Sequence, residues 1–211
     1  MTRTATSYET AGRPLTALLD AVPASGWSNP SACEGWTAAD VVGHLVTTQR
    51  DFLATHGVDL GPAPDVAADP AAAWRAHARQ VAGVLGDDAV AGREFDGFFG
   101  PTTVGAALEQ FYVWDMVVHR WDVARAVGAD AALTDEELDR VEVGADSGNA
   151  GSGARTAQEL FDARAGQQGR SGQPDQQGDS RRGGQTADPL GPGSAARAAD
   201  QSTSAGVDVR V

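Results

Sequence analysis

The sequence predicts an all-α protein, an up-and-down bundle of four helices with a short hairpin or irregular crossover before the long fourth helix. Two observations support this fold class. Apolar residues recur with helical spacing in separate segments that begin at capping signals, and the longest segment is apolar on most sides, as in a central helix. No internal repeat is visible, so we expect one small bundle.

A third observation is the change of composition after Asp146. Residues 147 to 211 contain only six large apolar residues among many Gly, Gln, Ser, Asp and Arg. Such a segment cannot bury enough apolar area to offset the entropy that it loses on ordering. We therefore expect a folded domain at residues 1 to 146 and a low-complexity, disordered tail at residues 147 to 211.

The first two helices follow from apolar spacing and one capping signal. The first is expected from about Ser7 to Ala21, although Pro14 inside it predicts a kink or a later start. The second is expected from about Thr37 to Thr55. Thr37 and Asp40 form a capping-box-like pair directly ahead of its apolar stripe.

The third helix is expected over Pro70 to Leu85, because Asp69 and Pro70 are typical of the first positions of a helix. Glycine and proline turn signals between residues 90 and 105 then predict the hairpin or irregular crossover. The fourth and longest helix is expected over Thr103 to Val127, with Gly128 directly after its end.

A further short helix is expected after the fourth one. Thr134 and Glu137 have the spacing of a capping box, and the segment that they open should end at about Val143.

Charge excludes two classes of partner. The tail carries seven Arg against seven Asp plus Glu, so the formal net charge of −13 belongs to residues 1 to 146. An acidic domain without a basic stripe argues against nucleic acid or an anionic membrane as a partner. A small neutral or cationic ligand, or a metal ion, fits this charge.

Composition also bears on the cellular compartment. The N-terminus lacks the apolar segment of a signal peptide, and no apolar run reaches transmembrane length. Cys33 is the only cysteine, so neither an intramolecular disulfide nor a thiolate zinc cluster can form. We expect a cytoplasmic protein. The lack of Lys and Ile suggests GC-rich coding DNA, as in many actinobacteria.

Three titratable residues share one side of the fourth predicted helix. Relative to Asp115 on a helical wheel, His119 falls about 40° away and Asp122 about 20° to the other side. A carboxylate and an imidazole four residues apart can bind one divalent ion from a single helix. Ordinary ion pairs, Asp115 with His119 and Asp122 with Arg125, fit the same spacing, so both interpretations stay open.

His44 is the natural third ligand, because it lies in the second helix at the edge of the apolar arc. An edge position suits a residue that faces a pocket, and equally a surface histidine. His56 is expected to cap the end of that helix, and His77 to lie on a solvated face among arginines. Cys33 is expected to pack beneath Trp36 as a small hydrophobe rather than to act as a nucleophile, because no histidine or cationic neighbour is evident.

Two blocks of the sequence resemble a known family. The first ends at His44 and reads C-x-G-W-T-x-x-D-x-x-x-H from Cys33 onward. The second begins about seventy residues later, at Asp115, and reads D-x-x-x-H-x-W-D. Together they resemble actinobacterial proteins related to the metal-binding domain of mycothiol-dependent maleylpyruvate isomerase, in the DinB/YfiT-like four-helix superfamily. The resemblance covers residues 15 to 146, about two thirds of the chain.

The resemblance implies a metal site made by His44, Asp115 and His119. Asp115 stands where the isomerases carry Glu, so the carboxylate lies nearer the backbone here. Three protein ligands with one open position are typical of catalytic zinc, and zinc is the expected ion. Asp122, with Arg125 beside it, is expected to support a ligand from outside the coordination sphere.

The function that the resemblance implies is thiol-dependent transfer or isomerisation of a small-molecule substrate. Mycothiol, or another low-molecular-weight thiol, is the expected co-substrate. The alternative is a non-catalytic bundle that binds a metal or a small ligand for sensing or storage. A homodimer and a monomer are both compatible with the sequence.

The resemblance also bears on the tail. The isomerases have a C-terminal domain and simpler relatives finish with a short structured segment, whereas residues after Asp146 have neither pattern. We hypothesise that residues 147 to 211 are an out-of-frame reading of GC-rich DNA. The coding sequence tests this, because another frame past codon 146 should then encode an apolar, family-like ending.

Overall fold

Helices make up most of the part of the chain that the computed structural model describes, residues 2 to 146. The elements in chain order are α1 (Arg3–Ala21), a 3-10 turn (Ala24–Ser28), α2 (Ala38–Thr55), α3 (Pro70–Leu85), α4 (Asp88–Ala91), β1 (Glu94–Gly97), β2 (Gly100–Thr103), α5 (Val104–Ala107), a π-helical segment (Leu108–Tyr112), α6 (Val113–Val127) and α7 (Asp135–Asp146). The two strands form the antiparallel hairpin expected before the long helix. The predicted tail lies outside the described residues.

The core lies between the four longest of these helices. α1 packs against both α3 and α6, and α2 packs against the same two helices. Each large apolar side chain buried there stabilises the fold by about 1.5–3 kcal/mol. The largest fully buried apolar residues are Leu15, Leu19, Leu45, Leu53, Trp74, Leu85, Leu108 and Met116. Within residues 2 to 146, no helix combines the length and the apolar character needed to cross a membrane.

The capping residues seen in the sequence begin α2 and α3 as predicted. Thr37 Oγ1 accepts a hydrogen bond from the backbone N of Asp40 at 3.2 Å, and Asp40 Oδ2 accepts one from the backbone N of Thr37 at 2.8 Å. Asp69 Oδ1 accepts from the backbone N of Ala72 at 2.9 Å at the start of α3. Gly128 ends α6 with a φ of 68°, the left-handed conformation that glycine adopts without strain.

α1 begins earlier than predicted. Its N-cap is Thr2, whose Oγ1 accepts a hydrogen bond from the backbone N of Ala5 at 3.0 Å. The same hydroxyl donates to the carbonyl oxygen of Leu85 at 2.5 Å, which ties the start of α1 to the end of α3. Pro14 lies inside the helix, so the later start that it suggested is wrong.

α7 begins at the predicted capping box and is longer than expected. The backbone N of Glu137 donates to Thr134 Oγ1 at 3.2 Å, and the backbone N of Thr134 donates to Glu137 Oε2 at 2.9 Å. The helix continues to Asp146 instead of ending near Val143. The indole of Trp114 donates to the carbonyl oxygen of Val141 at 3.0 Å, which holds α7 against α6.

The predicted helix over Thr103 to Val127 contains a π-helical segment, which the sequence did not reveal. Thr103 caps its start, and α5, the π segment and α6 then follow without a break. A π turn carries one extra residue per hydrogen bond and often occurs at functional sites. Residues before the π segment therefore face a different direction from the one that a regular helical wheel assigns relative to Asp115.

His77 contradicts the expected solvated face, because its side chain is fully buried. Its Nε2 lies 3.0 Å from Gln49 Oε1, which also accepts the hydroxyl of Tyr8 at 2.7 Å. The neighbouring arginines are two residues away on either side and so lie on other faces of the helix. Burial, helped by the charge of Arg50, lowers the pKa of His77 to about 4.

Candidate metal centre

Three of the predicted site residues meet between α2 and α6. His44 Nε2 lies 3.2 Å from one carboxylate oxygen of Asp115, and His119 Nε2 lies 3.2 Å from the other. Asp115 and His119 come from successive turns of α6, and His44 comes from the facing side of α2. Each oxygen of one carboxylate therefore faces a different imidazole.

The three side chains of the site differ in their exposure to solvent. The side chain of His119 is fully buried, while those of His44 and Asp115 keep 22% and 15% exposure. His44 and Asp115 are therefore the two residues of the site that solvent reaches. The buried His119 contacts Asp122 through Nδ1, the ring nitrogen that does not face Asp115.

Behind His119 lie two further polar side chains, Asp122 and Cys33. Asp122 Oδ2 is 2.7 Å from His119 Nδ1, and both side chains are fully buried. Cys33 Sγ lies 3.4 Å from the same carboxylate oxygen. The expectation that Cys33 has no histidine neighbour is therefore wrong, because Cys33, Asp122 and His119 form one buried cluster.

The turn between Pro30 and Thr37 places Cys33 and Trp36 at the site. Those two ends pair as an isolated β-bridge, and the chain reverses at Gly35, whose φ of 79° favours glycine. The Trp36 ring then lies 5.0 Å from the ring of His44 and 6.3 Å from that of His119, between centroids. The conspicuous C-x-G-W-T block thus positions one wall of the site.

The hydrogen bond to Asp122 decides how His119 presents its other nitrogen. When Nδ1 of His119 donates in the 2.7 Å contact, Asp122 Oδ2 accepts the hydrogen bond. In the neutral ring Nε2 then has a lone pair that faces the oxygen of Asp115 at 3.2 Å. Two electron-rich atoms at that distance need a proton or a metal cation between them.

The pKa values show how strongly the cluster attracts positive charge. Burial opposes ionisation of Asp115, yet the hydrogen bonds from His119 and His44 outweigh it and lower the pKa of this carboxyl to about 2. Burial likewise disfavours a charged His119, but its hydrogen bonds with Asp115, Asp122 and Cys33 raise the pKa of this imidazole well above its usual value. Both shifts have the same direction, because each favours a positively charged His119 beside an ionised Asp115.

Arg125 has different surroundings from those expected, whereas His56 lies as predicted. The guanidinium of Arg125 lies over the ring of Trp121, 5.1 Å from its centroid, while Asp122 faces His119 and Cys33. His56 ends α2 as expected, with its ring 4.0 Å from that of Phe95.

Two groups in the described residues have the ligands and spacing for a metal ion. One is His44, Asp115 and His119, and the other is Cys33, His119 and Asp122; in each group the ligand atoms lie within 4.8 Å of one another. The first has the nitrogen and oxygen ligands, three in number, that an open zinc site uses, and it reaches solvent. In the second group Nδ1 of His119 is already committed to Asp122.

The fold and the site define this chain as a mostly helical protein with a candidate His-Asp-His metal centre. Comparison with known sequences identifies its family. Residues 8–124 match the family described as the mycothiol maleylpyruvate isomerase N-terminal domain. The match covers more than half of the chain, and the chain belongs to this family. No curated protein and no solved structure matches the sequence.

Proposed function

We propose that His44, Asp115 and His119 hold one divalent metal ion, zinc in the first place, at an open site that works with a small thiol. The observation that supports this most directly is the convergence of three lone-pair donors, with His44 and His119 each 3.2 Å from Asp115. A divalent ion bound there supplies Lewis acidity, which lowers the pKa of a coordinated water or thiol.

The protein's own residues prepare the site for such an ion. Asp122 fixes the proton of His119 on Nδ1, so that Nε2 is directed at the ligand position. Asp115 stays ionised at neutral pH because its pKa is lowered to about 2. The partial exposure of His44 leaves a side from which a thiol and a substrate can approach.

The chemistry proposed for the site is thiol-dependent transfer or isomerisation. The family description supports mycothiol as the thiol, since it names a mycothiol-dependent isomerase. The proposal includes a DinB-like bundle of α1, α2, α3 and α6. The predicted up-and-down order is not part of it, because α1 and α2 each pack mainly against α3 and α6 and consecutive helices of such a bundle should be neighbours. The proposal also includes a cytoplasmic location, where a thiol co-substrate stays reduced.

Metal content of the purified protein tests the site. We expect about one zinc ion per chain in the parent, and a clear loss in His44→Ala, Asp115→Ala and His119→Ala. His56→Ala is the matched control, because His56 lies on the same helix as His44 but outside the site. Equal metal content in all variants, or none in the parent after incubation with zinc, would show that the site is wrong.

Turnover separates the enzyme from its alternative. Zinc-loaded protein that consumes an electrophilic substrate only in the presence of mycothiol supports the thiol-dependent reaction. Metal bound at His44, Asp115 and His119 without any thiol-dependent turnover would instead favour a metal- or ligand-binding bundle.

A further inference from the structure

The hairpin of β1 and β2 ends in two exposed aromatic side chains. Gly97 pairs with Gly100 across the hairpin, so Phe98 and Phe99 form its two-residue tip. Their side chains are 95% and 62% exposed. Asn, Asp and Gly are the residues that favour such a tip, so neither turn chemistry nor burial accounts for two phenylalanines here.

These rings border a cavity of about 380 Å³, within the size range of small-ligand pockets. None of the residues lining it is charged, and its polar groups are those of neutral side chains and backbone. The aromatic residues of the wall are Phe52, Phe95, Phe98, Phe99, Phe111 and Tyr112. The rings of Phe99 and Phe111 are nearly parallel, at 14°, with centroids 6.3 Å apart.

The cavity adjoins the candidate metal centre through α2 and the π segment. Tyr112 lines the cavity and lies three residues before Asp115, and its ring packs against Phe52 at 4.9 Å between centroids. Phe52 is eight residues after His44 on α2, which is about 12 Å along the helix axis. The cavity and the candidate metal centre therefore share α2 and the continuous helix from the π segment into α6, although none of the three candidate ligands lines the cavity.

The uncharged lining of the cavity does not suit an anion. None of the lining residues carries a positive charge that could pair with a bound anion, so an anion would lose its hydration there without compensation. A neutral aromatic or apolar group meets no such cost, and it would cover the exposed rings of Phe98 and Phe99.

We propose that this hairpin cavity binds the neutral aromatic or apolar part of the substrate that reacts at the metal centre. The inference rests on the proposed function for its link to the metal, and on the cavity alone for the class of ligand. It places the specificity of the protein on the hairpin tip and the π segment.

Two fluorescent probes with the same ring system test the ligand class. N-phenyl-1-naphthylamine is neutral, and 8-anilinonaphthalene-1-sulfonate carries an additional sulfonate. Titrated into the full chain, the neutral probe should bind at about one per chain and at least about tenfold more tightly than the sulfonate. Equal or tighter binding of the sulfonate would overturn the proposal.

Variants test the location. Phe98→Ala with Phe99→Ala should weaken binding of the neutral probe about tenfold, and both residues are exposed enough for the fold to tolerate the change. Val143→Ala is the matched control, an apolar side chain 67% exposed on α7 that should leave binding unchanged. Unchanged affinity in the double variant would overturn the proposal. A double variant that self-associates differently but binds the neutral probe as tightly as the parent would overturn it as well.

Zinc content measured on the same samples separates the two proposals. Probe binding without zinc binding would remove the proposed function and leave the cavity as a ligand site in its own right. Zinc binding without probe binding would overturn the cavity and leave the metal centre.

Discussion

Asp122 Oδ2 lies 2.7 Å from Nδ1 of His119, with both side chains fully buried. This contact holds the His119 ring so that its other nitrogen, Nε2, faces Asp115 3.2 Å away. A buried carboxylate behind a histidine is a common means of orienting a metal ligand and of raising its basicity. Asp122 is therefore a positioning residue for the site, although it does not face the ligand position itself.

Replacing that carboxylate should weaken metal binding without removing it. In Asp122→Asn the neutral amide is a poorer acceptor for the Nδ1 proton, so we expect zinc affinity to fall roughly 10- to 100-fold. Competition with a chromophoric chelator measures the dissociation constant. Asp130→Asn is the control, because Asp130 is exposed in the turn after α6. An affinity for Asp122→Asn within twofold of the parent would contradict the positioning role.

Gly144 in α7 packs closely against the ring of Trp114, and this contact leaves no room for a side chain at position 144. A Cβ there would lie 2.0 Å from Cδ1 of Trp114, too close for any real contact. We expect Gly144→Ala to lower the free energy of unfolding by about 1–3 kcal/mol, measured by urea denaturation with tryptophan fluorescence.

Gly83 supplies the control for that measurement. It lies in α3, and a Cβ there meets nothing within 4 Å. Gly83→Ala should therefore raise the free energy of unfolding by about 0.4–1 kcal/mol. Two variants of equal stability would show that α7 does not pack on Trp114 as described.

The burial of His77 predicts an acid-sensitive stability. Its pKa is about 4 in the folded protein and 6.5 for an unperturbed histidine, so between these values the unfolded chain takes up a proton that the folded chain excludes. The free energy of unfolding should therefore fall as pH decreases from about 6.5 to 4. His77 alone accounts for a loss of roughly 3 kcal/mol.

Denaturation at several pH values checks this contribution. His77→Gln removes the titrating group, so its stability should fall less over the same pH range than that of the parent. An identical slope in His77→Gln and the parent would contradict the contribution assigned to His77.

Local signals in the sequence predicted much of the fold. Thr37, Asp69 and Thr134 each begin a helix through a hydrogen bond between their own side chain and a nearby backbone nitrogen, and such contacts are readable from spacing. The start of α1 was missed even though Thr2 caps it, because the apolar stripe begins later. The π segment was missed because it depends on packing around Leu108–Tyr112 rather than on any single residue type.

The site was predictable where its residues lie on one helix, and less so where they come from a loop. Asp115 and His119 share a face of α6 by spacing alone, and His44 was found at the edge of the apolar arc of α2. Cys33 is 89 residues from Asp122 in sequence, and only the fold brings its sulfur to 3.4 Å from that carboxylate. His77 is buried because it lies in the same helical stripe of α3 as Trp74 and Val81, and its arginine neighbours in sequence do not show this.

X-ray absorption at the zinc edge, on the parent protein loaded with one equivalent of zinc and no added thiol, decides between the two ligand groups that share His119. If His44, Asp115 and His119 hold the ion, the spectrum will show a nitrogen and oxygen shell at about 2.0–2.1 Å with imidazole scattering and no sulfur. Cys33→Ala should leave it unchanged, and His44→Ala should remove one imidazole. A sulfur shell at about 2.3 Å that disappears in Cys33→Ala would instead place the ion with Cys33 and Asp122.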